Sequence, residues 1–253
     1  MKKLPEITVA FWIMKICATT LGETAGDLFS ITLNIGYALS SLILIVFFIV
    51  TLRMQLYAEK YKPILYWSVI LATSTAGTTI SDFMDRTLGL GYAVGSLILI
   101  TLLITTFIIW KKTEKSVSVN DIHTFRGETF YWIAILFSNT LGTALGDFLV
   151  DNSGLGFLGG ALLIGSLLLM IILAHYFLKV SSVILFWLAF ILTRPFGATF
   201  GDLLTKPLGK GGLNFGTIGS SAILFTILVV LITAFIIKNN TIERQNTLSK
   251  ENI

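Results

Sequence analysis

Long uncharged apolar stretches alternate along the chain with short polar breaks. Leu28 to Leu52, Thr87 to Trp110 and Gly211 to Ile237 carry no charged residue at all. About 20 apolar residues suffice for a helix to cross the ~30 Å hydrocarbon layer of a bilayer. These runs do not alternate in segments of about ten residues, as the strands of a membrane barrel would. The pattern therefore predicts helices, at roughly 6–28, 63–85, 129–150 and 182–205 (the odd ones) and 35–57, 89–111, 155–179 and 213–238 (the even ones). The expected fold is an all-α integral membrane protein with eight transmembrane helices.

The helices repeat. Aligned on Asp27, Asp82, Asp147 and Asp202, the chain shows a tryptophan fifteen residues earlier each time (Trp12, Trp67, Trp132, Trp187), preceded by Phe11, Tyr66, Tyr131 or Phe186. Five residues before each Asp stands a glycine (Gly22, Gly77, Gly142, Gly197), and one residue before it Gly26, Ser81, Gly146 or Gly201. The even helices carry Gly36 and Ser40, Gly91 and Gly95, Gly156 and Gly160, Gly216 and Ser220. Small residues at this spacing let membrane helices pack closely. Self-similarity of this kind defines four tandem helical-hairpin repeats, 5–58, 63–113, 128–180 and 182–238, in one domain spanning 1–240, with 241–253 as a short polar cytoplasmic tail. A two-helix repeat enters the membrane in the same direction every time, so the pseudosymmetry axis is expected along the membrane normal. The fourth repeat departs by an insertion, Lys206 to Gly212, and by Arg194-Pro195 inside its first helix.

These features resemble a family of bacterial membrane proteins of unknown function built from four tandem repeats, each with two membrane helices and a characteristic tryptophan. The resemblance covers residues 5 to 238 and implies the architecture, without an activity.

Composition agrees: 55% of the 253 residues are hydrophobic and 13% charged, with mean hydropathy +0.85, so the bilayer is the solvent. Cys17 is alone and the histidines are two, too few for a disulfide or a Cys/His zinc site. The net charge of +4 reflects orientation rather than nucleic acid. Thirteen Lys/Arg (Lys2, Lys3, Arg53, Lys60, Lys62, Lys111, Lys112, Lys115, Arg126, Lys179, Lys238, Arg244, Lys250) lie in the termini and the segments joining repeats, against Arg86, Lys206 and Lys210 on the other side. Both termini are then expected in the cytoplasm, with the chain in the bacterial inner membrane. Met1-Lys2-Lys3 is taken as retained rather than as part of a cleaved signal, since its segment matches three later ones.

At about 1.5 Å per residue, Trp and Asp lie roughly 22 Å apart along the helix, which places Asp in the outer part of the bilayer. Positions four, seven and eight before Asp share its face. They read Glu23, Thr20, Thr19; Thr78, Thr75, Ser74; Thr143, Thr140, Asn139; and Ala198, Pro195, Arg194. Such a stripe on four helices predicts a shared polar cavity. Two like charges 4 Å apart cost about 4 kcal/mol at an effective dielectric of 20, so a cation, protons or Arg194 must compensate the carboxylates. Carboxylate, hydroxyl and amide oxygens suit Mg²⁺, Mn²⁺ or Ca²⁺.

The expected function is a transporter of a divalent cation, manganese efflux being one form of it, with coupled protonation. Glu23, Asp27, Asp82, Asp147 and Asp202 are its metal ligands, and Thr20, Thr78, Thr143, Asn139 and Arg194 line the site. The alternative is a secondary carrier of a small organic solute, using Arg194 for an anionic group and a helix break at Pro195. The expected partners are the bilayer and one such small substrate, with no nucleic acid and no cofactor. No nucleophile triad, HExxH or phosphate loop points to an enzyme. Simpler roles stand beside these: the aspartates as helix caps, the tryptophans as interfacial anchors, the glycines as packing residues, and Lys15 snorkelling to the cytoplasmic surface.

Overall fold

A computed structural model describes residues 3–251, with the backbone alone for 242–251. Lys2 lies outside the described residues, as do the side chains of Arg244 and Lys250. The described residues are all-α, with eight long helices: α1 Val9–Asp27, α2 Tyr37–Leu56, α3 Pro63–Asp82, α4 Gly91–Glu114, α5 Phe125–Asp147, α6 Gly156–Phe177, α7 Ser182–Thr205 and α8 Thr217–Glu251. Local chemistry sets several starts. Thr8 Oγ1 accepts from Phe11 N, Thr124 Oγ1 accepts from Gly127 N, and Pro63 takes the first position of α3. With no glycine or proline after Ile237, α8 runs on to Glu251, so the segment expected as a tail continues the helix.

Among the described residues six helical segments are long and apolar enough to cross a membrane: Tyr37–Leu56, Gly91–Glu114, Phe125–Asn152, Gly156–Phe177, Ser182–Thr205 and Thr217–Thr241. The chain is a multi-pass membrane protein. α1 and α3 fall short because Lys15, Glu23 and Asp27 on one, and a run of threonines and serines on the other, dilute their apolar residues. Both are instead buried by their neighbours.

The odd helices form a closed inner ring, α1 against α3, α3 against α5, α5 against α7 and α7 against α1. The even helices lie outside it. Each packs along the odd helix that follows it in the chain, α2 on α3, α4 on α5 and α6 on α7, and α8 closes the set on α1. Their outer faces, with Leu42, Leu97, Leu162 and Ile223 each at least 60% exposed, present apolar surface all round.

Two sorts of glycine separate here. Gly22, Gly77, Gly142 and Gly197 are close-approach residues. A Cβ on Gly77 would stand 3.0 Å from the backbone of both Asn139 and Thr140, and a Cβ on Gly197 would meet Thr19 at 2.7–2.9 Å. Gly36, Gly91, Gly156 and Gly216, expected from spacing to be packing residues, have nothing within 4 Å of a Cβ. Their φ values of 81°, 71°, 65° and 72° show what they do instead: they turn the chain into each even helix through left-handed backbone. Gly36→Ala is expected to cost about 1–3 kcal/mol, because φ 81° with ψ 160° is backbone that essentially glycine alone adopts. Gly219→Ala, with no neighbour within 4 Å and φ outside that region, should stabilise by about 0.5–1 kcal/mol. Chemical unfolding in mixed micelles reads both.

Candidate functional site

The repeat register places equivalent side chains in layers along the ring's axis, because residues four apart share a helix face. In the layer eight residues before the aspartates stand Thr19, Ser74, Asn139 and Arg194. In the next are Glu23, Thr78, Thr143 and Ala198, then the four aspartates. Each small residue of one helix receives the following helix at a fixed offset: Gly22 meets Ser74, Gly77 meets Asn139, Gly142 meets Arg194 and Gly197 meets Thr19. The same holds a turn further on, where Gly26 meets Thr78, Gly146 meets Ala198 and Gly201 meets Glu23.

Arg194 fills the middle of this ring. Fully buried, it reaches Glu23 Oε2 with both terminal nitrogens at 3.0 Å, Thr78 Oγ1 at 2.5 Å, Thr143 Oγ1 at 2.7 Å and the Ser74 carbonyl at 3.3 Å. The partners come from the other three inner helices. Ala198 leaves the fourth position without a polar side chain. The layer expected to surround an open cavity is thus occupied by a buried ion pair with satisfied hydroxyls. Pro195 lies inside an unbroken α7, so the expected helix break is absent. A proline removes one hydrogen bond, but its φ is helical.

One turn further, the aspartates are held in two pairs. Arg86 joins Asp82 (Nε to Oδ1, 2.8 Å) to Asp147 (Nη2 to Oδ2, 2.9 Å). Lys206 joins Asp27 (2.5 Å) to Asp202 (3.0 Å). Burial works to lower the Lys206 pKa, but the Asp202 and Asp27 carboxylates outweigh it and hold the ammonium above its usual value, so it stays charged at neutral pH. Glu23, Asp27 and Asp202 each bring a carboxylate oxygen to within 4.8 Å of the others, a set able to hold a metal ion. Of the five expected metal ligands these three converge, while Asp82 and Asp147 form the separate Arg86 pair.

The aspartates are not caps. Asp27, Asp82 and Asp147 have helical backbone, make no side-chain capping bond, and pass directly into five-residue π-helical turns, 28–32, 83–87 and 148–152. Among the hydroxyls, Thr78 and Thr143 join the ring centre as expected. Thr20 does not, because its Oγ1 donates to Ile16 O of its own helix at 2.9 Å. Thr75 and Thr140 do the same with Leu71 and Leu136. Asn139 serves a deeper layer: it accepts from Lys15 at 3.4 Å and donates to Thr73 at 2.9 Å.

Lys15 is fully buried, with its ammonium 3.9 Å from the centre of the Phe190 ring, and it does not snorkel. The inner ring surrounds it before the stem can reach either surface. Arg86 and Lys206, counted above only as loop charges, are the other residues whose role the pattern left unread. Both stand four residues after an aspartate, a helical ion-pair spacing. With Arg194, Arg86 and Lys206 set three cations against the five carboxylates.

At the far end the axis is shut by aromatic side chains. Phe11, Tyr66 and Tyr131 are at most 1% exposed, and the two tyrosine hydroxyls lie 2.6 Å apart. Each of these rings meets the tryptophan of the next repeat, Phe11 with Trp67 at 5.6 Å, Tyr66 with Trp132 at 5.4 Å and Tyr131 with Trp187 at 6.0 Å, while Phe186 closes the circle on Trp12 at 5.7 Å. Trp67, Trp132 and Trp187 are buried. They join repeats to one another and are not interfacial anchors, since ring-on-ring packing between helices takes the whole indole.

Comparison with known families matches one model, described as Repeat of Unknown Function (DUF347), four times, at residues 10–61, 65–116, 130–181 and 185–241. No curated protein and no solved structure matches the chain.

Proposed function

The chain belongs to that repeat family, and we propose that it is a membrane transporter for a divalent cation, bound at the carboxylates that end the polar axis. The observation that carries this reading is the convergence of Glu23, Asp27 and Asp202 within 4.8 Å inside a multi-pass membrane protein. Buried carboxylates in such a setting are costly and mark ion pathways. Oxygen donors without nitrogen or sulfur suit Mg²⁺, Mn²⁺ or Ca²⁺, and protons compete for the same oxygens, which supplies coupling.

In this reading all eight long helices cross the bilayer, as four hairpin repeats about an axis along the membrane normal. α1 and α3 are carried by the ring despite their polar residues, because their polar faces turn to each other and not to lipid. The Lys/Arg excess at the repeat-joining ends supports both termini in the cytoplasm, in the inner membrane of a bacterium. The carboxylates then face outward and the aromatic layer is the closed inner gate. Arg194 has little left to offer an anionic solute, with its guanidinium committed to Glu23, Thr78 and Thr143. That leaves the organic-solute carrier with less support.

Reconstituted into proteoliposomes, the protein is expected to move Mn²⁺, and the Asp27→Asn and Asp202→Asn variants to lose at least about tenfold in flux. Both should still insert and purify. Unchanged flux in the double variant overturns the reading.

A further inference from the structure

The two basic residues that hold the aspartates differ in kind, and the difference falls on the half with the extra carboxylate. Arg86 spans its pair with a rigid fork, one nitrogen to each aspartate at 2.8 and 2.9 Å, and lies 5.7 Å from the centre of the Tyr92 ring. A guanidinium is planar, always charged and preorganised for such a bridge. Lys206 meets its pair through one ammonium on a flexible stem. It hydrogen-bonds Asp27 at 2.5 Å and lies 3.0 Å from Asp202 Oδ1. The Lys206 side chain is 24% exposed and that of Arg86 41%, so both reach solvent and the contrast between them is one of shape and flexibility.

The backbone beneath Lys206 is pinned. Leu213 N donates to Leu203 O at 2.6 Å, Asn214 N to Lys206 O at 3.0 Å and Phe215 N to Leu204 O at 2.9 Å, so the insertion of the fourth repeat folds back on the end of α7. The side chain can leave without the loop. Glu23 converges with Asp27 and Asp202, where repeats two and three have Thr78 and Thr143, while Asp85, the third buried carboxylate beside Arg86, accepts from Ser81 and is outside any such group of three among the described residues. With Lys206 withdrawn, Glu23, Asp27 and Asp202 beside Arg194 leave two negative charges, the charge of one divalent cation.

Resting on the cation reading above, we propose that Lys206 is a tethered counter-cation that occupies the site between Asp27 and Asp202 and gives way to the transported ion. Arg86 keeps the Asp82–Asp147 pair closed, and the chain binds one divalent cation. The insertion that breaks the fourfold likeness is then the device that puts a displaceable charge in the site.

Mn²⁺ titration calorimetry on the full-length protein in detergent tests this. Lys206→Gln should bind one Mn²⁺ about tenfold or more tighter than the unmodified chain. Arg86→Gln should not tighten binding, and Asp27→Asn in the Lys206→Gln background should abolish it. Lys206→Arg, which installs a permanent fork, should bind more weakly than the unmodified protein, and it carries the test if Lys206→Gln does not fold. Equal or weaker binding by Lys206→Gln overturns the proposal. So does tightening by Arg86→Gln to the same degree, which would mark a general charge effect, or a stoichiometry of two. No Mn²⁺ binding by either the unmodified chain or Lys206→Gln overturns the cation reading itself.

Discussion

Replacing Arg194 with methionine is expected to destabilise the folded protein by ~3–5 kcal/mol, the cost of leaving a buried partner charge uncompensated. The methionine keeps the stem's volume but removes the guanidinium, leaving Glu23 only the Thr78 and Thr143 hydroxyls, at 3.3 and 3.4 Å. Glu23 is 3% exposed and has no other cation within ion-pair distance among the described residues. The loss should be largely reversed by adding Glu23→Gln, which removes the stranded charge. A double-mutant cycle, read by denaturant unfolding in mixed micelles, separates this from simple loss of packing. If Arg194→Met and the double variant unfold alike, Arg194 is not the partner that keeps Glu23 in place.

The second large effect is steric. Gly77 lets α3 lie against the backbone of α5, with a Cβ position 3.0 Å from Asn139 C and from Thr140 N. Backbone atoms in a closed ring cannot step aside as the end of a flexible side chain can. Gly77→Ala should cost about 1–3 kcal/mol and Gly77→Val more, by forcing α3 and α5 apart. Asn139, which links Lys15 to Thr73, would be shifted with them. The opposite response expected of Gly219→Ala on the outside of the bundle is the control. Equal tolerance at the two positions would contradict the close packing of the ring.

The function expected from the residues and the geometry meet at one place and part at another. Five carboxylates are expected as ligands of one metal site, and three of them converge. The reason lies in residues that hydrophobic patterning treats as orientation signals. Arg86 and Lys206 sit four residues after Asp82 and Asp202, and on a continuous helix that spacing means contact. Reading them required knowing that each odd helix carries on past its aspartate, through a π-helical turn in repeats two and three and through three further α-helical residues in α7. A turn at the aspartate would have separated them. Lys15 was misread for a related cause. Its distance from the helix start allows snorkelling on an isolated helix, whereas here three other helices close round it.

The chain's periodicity alone determined the eight helices to within a few residues at most ends, the fourfold repetition, the membrane as solvent and the existence of a polar inner face. Each follows from local spacing: twenty apolar residues for a span, four residues for a face, a fixed interval for a repeat. Tertiary structure decided which helices touch. The even helices pack on the next repeat's inner helix, the tryptophans join repeats, and Arg194 reaches across the ring to Glu23, 171 residues away in the chain. These depend on closing the ring, which brings together side chains from different repeats at equal depth, and no spacing within one repeat encodes that.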